Sequence, residues 1–188
     1  MTVDITKIKT YLGISVSTHD TVLTNLMTAV CAFIENVCDR VFNETTYTEE
    51  IYSGGEKIIF LKKYPVSAVS KVEYKSGSNS NPTWTEFTED DYDLVDGRRL
   101  IRAGGWAPGV NTIWPSGYNN IRITYTAGYS SNPADLEQLI IELVAKKFNQ
   151  RKSDGIGSES AEGASLDWSR ALTPEQKIVL SKFKKISL

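Results

Sequence analysis

The stretch NIRITYTAGYSSNPADLEQLIIELVAKKFNQR, residues 120–151, decides the fold, because its hydrophobic period changes midway. From Asn120 to Thr126, β-branched and aromatic residues alternate with polar ones, as in a half-buried strand. Asn132-Pro133 then offers a cap followed by proline at the first helical position. Beyond it, Leu136, Leu139, Ile140, Ile141, Leu143, Val144, Ala145 and Phe148 make an apolar band wider than one helix face. Acids (Asp135, Glu137) come early and bases (Lys146, Lys147, Arg151, Lys152) late, which complements the helix dipole. A sheet therefore ends here and a long helix begins, running to about residue 151.

Upstream of this stretch the signal is β. The runs TTYTEEIY, KIIFL, VSKVEY, YDLV and RLIR are short and bounded by Ser53-Gly54-Gly55, by residues 77–82 and by Asp96-Gly97. The Asp-Gly between YDLV and RRLIR predicts a hairpin. With no helix between the strands, the sheet is expected to be mainly antiparallel.

Upstream again, helices return. Ile5, Ile8 and Leu12 share one side of a short helix stopped by Gly13. A second helix is predicted to start near Ser17, with Asp20 at the capping-box position. Leu23, Leu26, Val30, Ile34, Val37 and Val41 recur at helical spacing, and Met27, Cys31, Phe33 and Cys38 widen the stripe. The fold class is α+β: a helical hairpin or bundle with an inserted antiparallel β subdomain and a C-terminal helical arm. The expected boundaries are 1–44 for the N-terminal helices, 45–131 for the β subdomain, 132–152 for the second long helix, 153–170 for a linker and 171–188 for the arm.

The linker and arm differ in charge. Residues 153–170 carry four acids and one base, residues 171–188 four lysines and one glutamate. Thr173-Pro174-Glu175-Gln176 is a capped helix start. The arm behind it carries Ile178, Val179, Phe183 and Ile186 among Lys177, Lys182, Lys184 and Lys185. Either the arm detaches from its own subunit, or the linker joins two helices packed together.

Chemistry-bearing motifs are scarce. With 188 residues, 40% hydrophobic and 23% charged, the chain is ordinary globular material, and its net charge of −2 provides no global field for nucleic acid. Cys31 and Cys38, the only cysteines, lie two helical turns apart, roughly 10 Å, too far for a disulfide, and are expected to be reduced and buried. His19, the only histidine, stands in a helix-start sequence without a nucleophile motif around it. The acidic run Glu86, Glu89, Asp90, Asp91, Asp93 and Asp96 invites a metal, but the EF-hand spacing fails at Val95. Gly155-Ile156-Gly157 and Gly104-Gly105 lack the context of phosphate loops. The aromatic loop of residues 104–120 lacks interleaved bases and reads as a packed loop or subunit contact. No enzyme, cofactor or metal is expected. The N-terminus has no signal-peptide pattern. The longest apolar stretches are broken by Glu142, Lys146 or Pro65, so no membrane partner is expected.

Several stretches resemble one family. IKTYLGI followed by HDTVLTNLMTAVCAFIENVCDRVF is similar to the N-terminal helical signature of head–tail connector (adaptor) proteins of tailed bacteriophages. LKKYPVSAVSKVEY resembles that family's strand–Pro-Val–strand segment, and residues 123–160 its second half. The smallest members are nearly all helical, whereas here a β subdomain lies between the two main helices.

The resemblance implies a structural virion protein of the neck, made in the cytoplasm of a bacterial host. It implies a homo-oligomeric ring of about twelve under the portal, binding the portal protein and a stopper or tail-completion protein, with DNA passing through without specific binding. On this reading Ile178, Val179, Lys182, Phe183 and Ile186 would bind the portal. Ile141, Val144, Ala145 and Phe148, the surplus of the wide band, would face a neighbouring subunit. The alternatives are another neck or tail-completion protein, a DNA-binding accessory protein of genome packaging, and, resting on the acidic run alone, a metal-dependent nuclease.

Overall fold

A computed structural model describes residues 1, 3–78, 81–103, 112–153 and 172–185 of the chain. The expected linker thus falls almost wholly outside the described residues, as do Ile186 and much of the aromatic loop. The chain forms two compact units, one from residues 1–42 with 131–188 and one from residues 43–130.

The first unit is helical: α1 (Ile5–Leu12), α2 (Asp20–Cys38), α3 (Ala134–Ser153) and α4 (Pro174–Phe183). Asp4 caps α1 through Thr6 N–H at 2.8 Å, and Gly13 ends it with φ 68°. Helix α2 starts three residues later than the expected capping box. Its N-cap is His19, whose side chain makes no cap hydrogen bond. The imidazole instead packs edge-on against Phe148 at 5.3 Å, and that apolar contact takes the place of a polar cap. By length and hydropathy alone α2 could cross a membrane, contrary to the reading of its sequence. Here Leu23, Met27, Val30, Cys31, Ile34 and Cys38 form its buried stripe, as in the core helix of a bundle.

Helix α3 is the centre of the unit, because α1, α2 and α4 all pack against it. This accounts for the width of its apolar band. Leu136, Ile140, Val144 and Phe148 are fully covered, with Leu139, Ile141, Leu143 and Ala145 nearly so. Within the single chain the band is covered by the chain's own helices.

The second unit is all β: β1 (Thr45–Gly54), β2 (Ile58–Phe60), β3 (Val66–Ser78), β4 (Asn81–Glu86), β5 (Tyr92–Val95), β6 (Arg99–Arg102) and β7 (Gly117–Ala127). Two antiparallel sheets result, ordered β1-β7-β3-β4 and β2-β6-β5. The expected Asp96-Gly97 hairpin joins β5 to β6 through residues 96–98, with positive φ at both Asp96 and Gly97 (53° and 58°). Strand β4 has a polar sequence and was not anticipated. It is an edge strand, where the missing N–H of Pro82 is tolerated. One core serves both sheets: Tyr52, Val72, Ile121, Ile123 and Tyr125 meet Ile59, Leu61 and Leu100, with Phe87 and Trp114 between. Trp114 anchors the end of the aromatic loop, fully buried, edge-on to Phe87 at 5.3 Å.

Candidate functional site

The residues singled out from sequence converge on the seat of α4. Thr173 and Gln176 close the expected capping box: Gln176 N–H donates to Thr173 Oγ1 at 3.3 Å, and Thr173 N–H to Gln176 Oε1 at 3.1 Å. The helix start is therefore satisfied by its own residues. The rest of α4 is held by α2 and α3. Leu180 is 1% exposed and is the one fully buried side chain of the helix. Gln176 Nε2 donates to Glu142 at 3.0 Å, and Lys182 pairs with Asp135 at 3.4 Å.

The C-terminal end of α4 meets the end of α2. Arg40 donates to the carbonyl of Phe183 at 3.2 Å, and the Phe183 ring stands edge-on to Phe42 with centroids 6.0 Å apart. Lys185 donates its N–H to the carbonyl of Cys38 and pairs through Nζ with Asp39 at 2.8 Å. Burial of Cys38 under this arrangement pushes its thiol pKa up. Both cysteines are free and buried, as the spacing predicted.

Two grooves flank α4. The one shared with α3, about 560 Å³, is lined by Ala134, Leu139, Ile141 and Val179 with four carboxylates, Asp135, Glu137, Glu142 and Glu175. The one shared with α2, about 470 Å³, is lined by Phe33, Val37, Leu172 and Leu180, with Lys177 and Lys184 on its rim.

The residues expected to bind a portal thus divide. Ile178, 61% exposed, points outward, and Lys182 is exposed but turned toward Asp135 of α3. Val179 and Phe183 are half-buried against the chain's own helices, and Ile186 lies outside the described residues. Sequence periodicity missed the exposed Tyr11, Val16 and Phe60; Val41, expected in the α2 stripe, lies beyond the end of that helix at Cys38 and is exposed, and Ile113 and Tyr118 are exposed in the aromatic loop. For Tyr11 and Val16 the only available signal was negative, since both fall outside the helical stripes.

Asp91 and Asp96 of the acidic run make local hydrogen bonds and ion pairs. Asp91 Oδ2 accepts from Thr88 N–H and Oγ1 at 2.8 and 2.9 Å, and Oδ1 meets Arg102 at 3.0 Å. Burial disfavours the Asp91 carboxylate, but these hydrogen bonds outweigh it and hold its pKa below the ordinary value. Asp96 pairs with Arg99. Among the described residues no group of three or more His, Cys, Asp or Glu is placed to hold a metal ion.

The profile of the head completion protein family matches residues 2–186, spanning both units. Among solved structures, a chain in the neck of an empty gene transfer agent (GTA) particle, computed with C6 symmetry, is similar with a TM-score of 0.56 and 18% identity. The match covers 99% of this chain and 91% of that one. A chain in the virion of the native GTA particle matches with TM-score 0.55 at 16% identity, over 99% and 91% of the two chains. A chain in the neck of the native particle, computed with C12 symmetry, matches with TM-score 0.53 at 16% identity, over 98% and 89%. At these identities the likeness is one of fold. No curated protein matches. The family profile covers nearly the whole sequence, and on that ground the chain belongs to the head completion protein family.

Proposed function

We propose that this protein is a structural connector of the neck of a phage-like particle. On this reading it forms a ring of about twelve copies beneath the portal, joins the DNA-filled head to the tail or to a stopper protein, and lets DNA pass. The observation that carries the reading is the family match across residues 2–186. The fold likeness to chains in necks computed with C6 and C12 symmetry supports the symmetric ring.

The geometry supplies the parts such a ring needs. Subunits in a head-to-tail ring present two different surfaces to their neighbours. Since Ile141, Val144, Ala145 and Phe148 are spent inside the subunit, the neighbour contact is assigned to the exposed apolar residues Tyr11, Val16 and Val41. The portal contact is assigned to the outer face of α4, where Ile178 supplies apolar area and Lys177, Lys182 and Lys184 supply charge for an acidic partner. A net charge of −2 suits a channel that guides DNA without gripping it.

The test is attachment to portal-bearing heads. Ile178→Asp alters only the outer face of α4, so the subunit should fold normally and fail to attach. Normal attachment of that variant would remove α4 from the portal contact. Binding of a specific DNA sequence that persists at physiological salt would favour the packaging-accessory reading.

A further inference from the structure

The seat of α4 has a property that the return path from α3 makes visible. Gln176, near the start of α4, bonds to Glu142, in the middle of α3, and Lys182, near its end, pairs with Asp135 at the start of α3. Helix α4 therefore runs antiparallel to α3. From Ser153 back to Glu142 is eleven residues along a helix, about 16 Å. About five or six extended residues would cover that distance. The sequence places 18 residues, 154–171, between Ser153 and Leu172. Fully extended, 18 residues would span about 60 Å, well over three times the need.

The helix at the end of this connection is a separable part. Its capping box is internal to Thr173 and Gln176. Among the described residues, the contacts that seat it through Gln176, Leu180, Lys182, Phe183 and Lys185 fall on α2, on α3 or on the Asp39–Phe42 segment. None of these contacts requires that helix and seat belong to the same chain. We infer that the seat on α2 and α3 is an interaction surface for a second copy of this chain: in the assembled ring, α4 of each subunit occupies the seat of its neighbour. The inference rests on the ring reading given above. Exchange needs no new complementary surface, because each interface reuses the intramolecular one, and a ring of such exchanges is the closed head-to-tail arrangement that symmetric assemblies adopt. The outer face of α4, with Ile178, stays available in either arrangement.

The test uses the full chain with Val37→Cys and Ser181→Cys, residues that line the same groove from α2 and from α4. A short thiol-to-thiol crosslinker is applied to the dilute monomer and to rings formed with the portal, with each single variant as a control for Cys38. The dilute monomer should give an intrachain product. The rings should lose the monomer band on a denaturing gel to a ladder of covalent multimers. A second variant, lacking residues 157–168 as well, keeps six linking residues, about the number needed to reach its own seat, and has a third of the original reach. It should keep the intrachain product and lose the ladder. Intrachain products alone from intact rings would overturn the exchange while leaving the ring standing, as would rings that give no crosslink. A protein that stays monomeric with its portal would overturn the ring and the exchange with it.

Discussion

The backbone N–H of Lys185 donates to the carbonyl of Cys38 at 2.9 Å. Cys38 is the last residue of α2, where carbonyls lack partners within their own helix. The C-terminal segment thus satisfies α2 from outside and covers the Cys38 thiol, whose sulfur lies 3.9 Å from the Leu180 carbonyl.

Cys38 is accordingly a reporter for the seating of α4. Leu180→Ala removes the one fully buried side chain of α4 and should weaken its seating by about 2–5 kcal/mol, the usual cost of such a truncation. Thiol labelling of Cys38 should accelerate in that variant and further in a chain ending at residue 171, with helical content otherwise kept. Unchanged labelling would mean that α4 does not cover Cys38 in solution.

A buried polar cluster should set the alkaline limit of the β unit. Glu50 Oε2 accepts from the hydroxyls of Tyr52 at 2.6 Å and Tyr125 at 2.7 Å, and these hydroxyls accept from the N–H groups of Lys62 and Lys63 at 3.1 and 3.2 Å. Burial, with the Glu50 hydrogen bond second, pushes Tyr52 far above the ordinary tyrosine value of 10.0. Burial does the same to Tyr125. Groups with raised folded-state pKa values contribute stability in full below pH 10 and lose it as pH rises above that. Spectroscopic titration should show two tyrosines that ionise only on unfolding, and Tyr52→Phe with Tyr125→Phe should be non-additive. Two independent, additive losses would contradict the shared cluster.

The acid limb has its own group. Glu73 is 4% exposed although it lies on the outer face of its sheet, covered by Arg122 at 2.5 and 2.8 Å and by Lys71 at 2.9 Å. The Arg122 hydrogen bonds, assisted by Lys71, hold its pKa below the ordinary 4.5. A depressed folded-state pKa contributes stability that is present above pH 4.5 and lost as pH falls through the lower, folded value. Arg122→Ala should cost roughly 1.5–3 kcal/mol at neutral pH, the scale of hydrogen bonds to a charged group, and should flatten the acid limb of a stability-versus-pH profile. An unaltered limb would assign that limb to other carboxylates.

Which parts of this were legible in the sequence follows from how local each signal is. The Asp96-Gly97 turn and the Thr173–Gln176 box are decided by neighbouring residues and stand where expected, while α3 begins at Ala134, one residue beyond the expected first helical position at Pro133. The start of α2 was misplaced because Phe148, more than a hundred residues away, holds His19. The division into two sheets depends on long-range pairing, such as Tyr47 with Tyr125 and Val72 with Ile123, that no local period encodes. Strand β4 is polar because it is an edge, and so lacked the alternation that marks a strand. The apolar band of α3 was read at its true width. What sequence could not supply was the number of helices of its own chain that would cover it.

DNA should pass this protein without being held. Duplex affinity is expected to be weak, to fall with salt and to show little sequence preference. Magnesium or manganese should elicit no nuclease activity, since Asp91 is committed to Thr88 and Arg102. Metal-dependent cleavage abolished by Asp91→Ala would revive the nuclease reading.

The most direct measurement of the neck-connector account is electron microscopy of the purified protein bound to its cognate portal, with the copies per particle counted independently by quantitative labelling. The account predicts a closed, rotationally symmetric ring of about twelve identical subunits on the portal, with the DNA path through its centre. One or two copies per particle, or density at a site other than the neck, would contradict it.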